Sequence, residues 1–179
     1  LRFAYELPNG TLGTSFDGVL GEIYSSLLRA WNGEIELCGG SMGGYNTFHY
    51  AIKSKYKIVA ADVLCPCCNM EYELYCNANH LFRSYFEAVM EDTEDFAAYV
   101  RDNSPVNMAD KLPKIPYRFA VGLKDMTLVV SQHSDLMIER MLAAGHDVTR
   151  MDYPEVAHCN LPHADRSFAE RPLPRSPDG

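Results

Sequence analysis

Glu34-Ile35-Glu36-Leu37-Cys38-Gly39-Gly40-Ser41-Met42-Gly43-Gly44-Tyr45-Asn46-Thr47-Phe48-His49-Tyr50-Ala51-Ile52 is the stretch that decides how this chain folds. Its first five residues read as a short strand, and the residues from Gly44 onward read as a helix. Between them lies a G-x-S-x-G pattern. Strand, sharp turn and helix form the context in which that pattern becomes a nucleophile elbow. The serine must sit on a tight, strained turn so that its hydroxyl projects from the carboxyl edge of a sheet. Side chains two before and two after it would collide there, so Gly39 and Gly43 are both expected on steric grounds. Ser41 also stands at a helix N-terminus, where free N–H groups favour developing negative charge. A glycine-rich turn before a helix is common in itself, so the rest of the chain has to decide the matter.

Working outward, the composition is that of one ordinary globular domain: 179 residues, 47% of them hydrophobic, enough for a real core. A net charge of −8 argues against nucleic acid and against an anionic membrane surface. No apolar run is long enough to span a bilayer. The chain opens at Leu1 rather than Met, and residues 1–7 read as the middle of something, so a fragment is expected. Six cysteines are present, and Cys65, Cys67, Cys68 and Cys76, with His80 nearby, raise the question of a metal. Their C-x-C-C spacing is not a paired C-x-x-C arrangement and has no second matching pair. Free thiols in a reducing, cytoplasmic compartment, with no metal and no cofactor, are the expectation.

Residues 16–31 carry a helical pattern that ends at Asn32-Gly33. After the elbow helix, residues 57–64 form a continuous apolar run bounded by Pro66, which reads as a buried parallel strand. Residues 65–110 differ in character, with Tyr72, Tyr75, Phe82, Tyr85, Phe86, Phe96 and Tyr99 mixed among acids. Helices are expected over 80–90 and 93–100, the second capped by Thr93. An excursion after a strand's carboxyl end is placed to overhang a site, and Tyr72 and Phe82 are its candidate lining residues. Residues 117–123 read as the third strand, 131–144 as an amphipathic helix turning Leu136, Met137, Met141 and Leu142 inward, and 147–153 as the fourth strand. The domain is expected to run over 1–161, with 65–110 as a cap-like excursion and 162–179 as a proline-rich, irregular tail.

A serine hydroxyl needs a base within hydrogen-bond reach, and that base needs a carboxylate to fix its tautomer. Asp125 follows the third strand in Gly122-Leu123-Lys124-Asp125, and His158 follows the fourth in Tyr153-Pro154-Glu155-Val156-Ala157-His158. Both positions are carboxyl ends of strands, the same edge as Ser41. Asp62, at the end of the second strand, is the rival acid. The rival histidines are His133 in the following helix, His146 ahead of a strand, and His163 in the tail. His49 reads as packed or partly exposed on the elbow helix, and His80 as a residue of the excursion.

These segments resemble the prolyl oligopeptidase family and its related esterases, within the α/β-hydrolase superfamily. The resemblance rests on Gly39-Gly40-Ser41-Met42-Gly43-Gly44, Ser104-Pro105-Val106, Pro116, the strand ending in Gly122-Leu123-Lys124-Asp125, Gln132-His133-Ser134, Ala144-Gly145, and Tyr153-Pro154 with His158. It covers roughly residues 16–160. It implies an α/β fold, a mostly parallel sheet flanked by helices, here lacking the first strands and the closing helix. It implies Ser41 as nucleophile, Asp125 as orienting acid, His158 as general base and the Met42 N–H as one oxyanion donor. The second donor in such enzymes comes from a loop after an earlier strand, and no H-G-G-like loop precedes the elbow here. The resemblance covers esterases and peptidases alike. A small-molecule ester is the expected substrate, a short peptide the alternative, and self-association is left open.

Overall fold

A computed structural model describes residues 35–76 and 82–160. The helix read over 16–31, the tail over 162–179, His80 and His163 lie outside the described residues. Four strands, β1 (Ile35–Gly40), β2 (Ile58–Leu64), β3 (Tyr117–Gly122) and β4 (Val148–Tyr153), form one sheet. They lie in the order β1-β2-β3-β4, every neighbour parallel. Sequence order and spatial order coincide, so each crossover steps one strand in the same direction. Right-handed crossovers then lay their helices on one face of the sheet.

That face holds the larger core. Phe48 and Ala51 of α1 (Met42–Lys53) and Met137, Ile138 and Met141 of α5 (Ser134–Ala143) pack with Ala61, Val63, Tyr117, Phe119 and Val121. The strand residues share one parity, as a pleated sheet requires. The opposite parity turns Asp62 and Arg118 to the other face, where they are register partners on β2 and β3. Arg118 donates from Nε to Asp62 Oδ1 at 2.8 Å and from Nη2 to Oδ2 at 2.5 Å, a fork-to-fork pair with both side chains buried. Asp62 therefore sits within its strand, committed to Arg118, and not at the strand's carboxyl end as its reading as a rival acid required.

The expected inward set of α5 is corrected at two positions. Ile138 is buried and Leu142 is 55% exposed. A 3-10 turn over Val130–Gln132 precedes the helix, which begins only at Ser134, and the face it presents to the sheet is Met137, Ile138 and Met141. His133 consequently lies ahead of the helix rather than in it.

Between β2 and β3 the chain makes α2 (Met70–Tyr75), α3 (Arg83–Asp92) and α4 (Phe96–Asp102). The helix α2 has no counterpart in the periodicity; Asn69 starts it by accepting the Tyr72 N–H at 3.1 Å. The cap of α4 is Asp95, which accepts the Ala98 N–H at 3.0 Å, whereas Thr93 is extended. These helices build a second core from Met70, Phe82, Tyr85, Val89 and Val100, joined by Tyr45 of α1 and by Leu128, with Met42 packed against it. His133 ties the segment down. Its Nδ1 accepts the N–H groups of Cys68 and Asn69 at 3.1 and 3.2 Å, so Nε2 carries the proton and donates to Glu73 Oε1 at 2.9 Å.

Candidate active site

Ser41 occupies the turn between β1 and α1 with φ 55° and ψ −121°, a conformation costly to any residue with a side chain. The surrounding structure enforces it. The Ser41 N–H donates to the Leu64 carbonyl at 3.0 Å, and the Ser41 carbonyl accepts from Gly44 and from Cys67, each at 3.0 Å. A Cβ on Gly39 would fall 2.2 Å from the Gly43 carbonyl oxygen and 2.5 Å from Thr47 Oγ1. Gly39 is therefore required. Gly43 is not required in the same way, because among the described residues nothing lies within 4 Å of a Cβ built there. The second steric demand falls on Gly44 instead, whose Cβ would meet Pro66 Cβ at 2.5 Å. The excursion leaves β2 through Pro66 and closes over the elbow at that point.

The structure brings Ser41, His158 and Asp125 together at the carboxyl edge of the sheet. His158 Nε2 lies 2.9 Å from Ser41 Oγ, and His158 Nδ1 lies 2.7 Å from Asp125 Oδ2. With Asp125 ionised, Nδ1–H donates to the carboxylate and Nε2 is left to accept the serine hydroxyl proton. Asp125 is held from its other oxygen, where Oδ1 accepts the N–H groups of Thr127 and Leu128, both at 2.9 Å. The loop carrying His158 rests on Gly122, where a Cβ would meet the carbonyl oxygens of Val156 and Ala157 at 2.7 and 2.8 Å. Lys124 N–H donates to the Val156 carbonyl at 3.0 Å, tying the Asp125 and His158 loops together.

Electrostatics follows from this geometry. Burial pushes the Asp125 carboxyl up, but the hydrogen bond from His158 and the Leu128 and Thr127 N–H groups outweigh it and leave it below the usual range. Burial likewise pulls the His158 imidazole down, and the bond to and charge of Asp125, with Cys65 beyond, raise it above the ordinary histidine value. Met42 heads α1, where no earlier turn can accept its N–H.

The other described histidines, His49, His133 and His146, are engaged elsewhere. Buried His49 meets the Asn103 carbonyl through Nε2 at 2.8 Å. His146 Nε2 meets the Ala109 carbonyl at 2.7 Å, ahead of β4 and at the other edge of the sheet. Of the excursion aromatics singled out above, Phe82 is buried in the second core, whereas Tyr72 stands edge-on to His133.

Two cysteines flank the histidine, and sequence reasoning did not connect them. Cys159 Sγ lies 3.8 Å from His158 Nε2, and Cys65 Sγ accepts the Gly122 N–H at 3.3 Å. Cys159 Sγ donates to the Leu64 carbonyl at 3.6 Å, and the closeness of the two thiols draws Cys65 down and Cys159 up. Ser41, Cys65 and Cys159 are the non-glycine residues with positive φ among the described residues, at 55°, 41° and 51°. Backbone strain therefore gathers at this one place. Cys67 and Cys68 are buried apart from it, and Cys76 is exposed.

No protein-family model matches the chain, and no curated protein matches it in sequence. Solved structures do. A puromycin hydrolase superposes with a TM-score of 0.61 at 20% identity, over 76% of this chain and 21% of that one. An acylaminoacyl peptidase from Pyrococcus horikoshii gives 0.62 at 18%, over 79% and 23%. A further acylaminoacyl peptidase, solved with Z-Gly-Gly-Phe-chloromethyl ketone, gives 0.69 at 18%, over 89% and 27%. The fold is that of the α/β-hydrolases. This chain spans about a fifth to a quarter of the length of those neighbours.

Proposed function

We propose that this chain is the catalytic part of a serine hydrolase that works by acyl transfer. The observation that carries the reading is the continuous hydrogen-bonded line from Ser41 Oγ through His158 to Asp125, 2.9 and 2.7 Å, set on a strained turn at a helix N-terminus. Ser41 Oγ attacks the substrate carbonyl while His158 Nε2 takes its proton. Asp125 holds the imidazolium that results, and the Met42 N–H faces the developing oxyanion. His158 then hands the proton to the leaving group, an acyl-enzyme remains on Ser41, and water activated by His158 releases the acid. The adjacent reduced thiols suit a reducing, cytoplasmic setting.

For the substrate we favour a carboxylic ester of a small molecule. An alkoxide or phenoxide is a better leaving group than an amide nitrogen, and among the described residues one oxyanion donor, the Met42 N–H, is assigned. A second reading, an acylated amino acid or short peptide, is favoured by the fold's likeness to a puromycin hydrolase and acylaminoacyl peptidases. The test of the class is labelling by a fluorophosphonate, which requires an activated serine. Wild-type protein should label at Ser41, and Ser41→Ala should fold and not label. Undiminished labelling of the folded Ser41→Ala protein would remove Ser41 from the role.

A further inference from the structure

We propose that Cys65, Cys159 and His158 form a site for zinc or a similar thiophilic divalent cation, and that its occupation switches Ser41 off. The Sγ atoms of Cys65 and Cys159 and a ring nitrogen of His158 all lie within 4.8 Å of one another. The Cys159 Sγ–His158 Nε2 edge is 3.8 Å. A tetrahedral zinc ion with bonds of about 2.3 Å to sulfur and about 2.0 Å to nitrogen has donor-to-donor edges of roughly 3.5–3.8 Å. Closing the observed triangle around an ion therefore asks for at most about 1.3 Å of movement in the longest edge. Two thiolates and an imidazole are a donor set that selects zinc over magnesium or calcium.

Outer contacts strengthen the assignment. A ligating histidine ordinarily has its second nitrogen held by a carboxylate, which aims the lone pair of the first. His158 is held in that manner, Nδ1 to Asp125 Oδ2 at 2.7 Å. A ligating sulfur ordinarily receives an N–H, and Cys65 Sγ receives that of Gly122 at 3.3 Å. Cys65 is buried, whereas Cys159 and His158 are partly exposed, so the ion has a way in from solvent. On binding, each thiol loses its proton to water, both sulfurs bond the cation, and the Nε2 lone pair bonds it as well. That lone pair is the one Ser41 Oγ–H uses at 2.9 Å. Metal and serine compete for one pair of electrons, so a loaded site cannot accept the serine proton. The binding half stands by itself; the switching half rests on the serine-hydrolase reading above.

The two halves are tested separately, on the full chain kept reduced with a phosphine. Cobalt(II) titration should give a thiolate-to-cobalt charge-transfer absorption at one equivalent, removable by zinc. Ser41→Ala should keep it, and Cys65→Ser or Cys159→Ser should weaken binding roughly tenfold or more. Zinc at a buffered free concentration should slow fluorophosphonate labelling of wild type at least tenfold. The ratio of rates with and without zinc should approach one in Cys159→Ser. Should the cysteine variants misfold, wild-type protein alkylated with and without zinc and mapped by mass spectrometry answers the same question. Zinc should protect the partly exposed Cys159 and leave the exposed Cys38 and Cys76 reactive. Absence of the sulfur band, protection confined to Cys38 and Cys76, or equal slowing in Cys159→Ser overturns the site. A protein that never labels but shows the band sinks the hydrolase reading and leaves the metal site standing.

Discussion

Asp62 within β2 and Asp125 in the turn after β3 are both buried carboxylates, and their partners set their fates apart. Asp125 faces His158 at 2.7 Å; Asp62 faces the Arg118 guanidinium at 2.5 and 2.8 Å. Asp125→Asn should lower labelling and turnover on the order of 10³–10⁴-fold with the fold intact, because an amide cannot hold the imidazole in the needed tautomer. Asp62→Asn should leave turnover per folded molecule nearly unchanged and cost stability instead, about 3–5 kcal/mol for a guanidinium left buried without its charge partner. Urea unfolding and labelling run side by side separate the two, and the reverse ranking would move the acid to Asp62. The raised His158 value adds a pH signature. Only the neutral imidazole accepts the serine proton, so labelling should fall as pH drops through a midpoint above the ordinary histidine value of about 6.5. In Asp125→Asn the hydrogen bond and charge that oppose desolvation are gone, so the midpoint should move down. A midpoint unmoved by that change would disconnect Asp125 from His158.

The elbow's glycines lend themselves to a test that sequence reading alone gets half wrong. The pattern G-x-S-x-G suggests that both flanks are sterically required, yet the close approaches are at Gly39 and Gly44. Gly39→Ala should destabilise by about 1–3 kcal/mol or more, since the Gly43 and Thr47 atoms it meets belong to the turn itself. Gly44→Ala should destabilise comparably through Pro66. Gly43→Ala should be neutral or stabilising by about 0.5–1 kcal/mol, the ordinary gain for alanine over glycine in a helix. Denaturant midpoints of the three variants check this, and a Gly43→Ala protein as damaged as Gly39→Ala would refute it. The same contrast shows what was legible. The four strands, α1 and the strand-end positions of Asp125 and His158 were readable because hydrophobic runs and turn residues encode them locally. Helix α2 was not, being six residues long and set by Asn69, Glu73 and their bond to His133. The start of α4 and the inward face of α5 were misjudged by a few residues, because the cap at Asp95 and the packing on β3 fixed them. The meeting of Cys65 with Cys159 was invisible, since only the parallel order of β2, β3 and β4 brings the ends of distant strands to one edge.

At the scale of the whole molecule, the sheet edge gathers the three hydrogen-bonded residues, while the segment between β2 and β3 forms a second core that includes Leu128 and packs against Met42. We expect a compact acyl group to suit this site better than an extended polypeptide. Chemistry points the same way. Expelling an amine from a tetrahedral intermediate needs full protonation by His158 and a long-lived, well-stabilised oxyanion, whereas a phenoxide departs unaided. Loss of one oxyanion donor costs on the order of 10²–10³ in rate, and Met42 is the single donor the elbow supplies. We therefore expect this chain to turn over aryl acetates slowly but measurably and peptide amides not detectably. The comparison is an aryl acetate series of increasing acyl length against N-acylated peptide amides, on one preparation, with Ser41→Ala as blank. Rates should fall as the acyl chain lengthens, and the blank should show only background hydrolysis. Efficient amide cleavage that vanishes in the blank would keep Ser41 as nucleophile, overturn the ester preference, and require a second oxyanion donor beyond Met42.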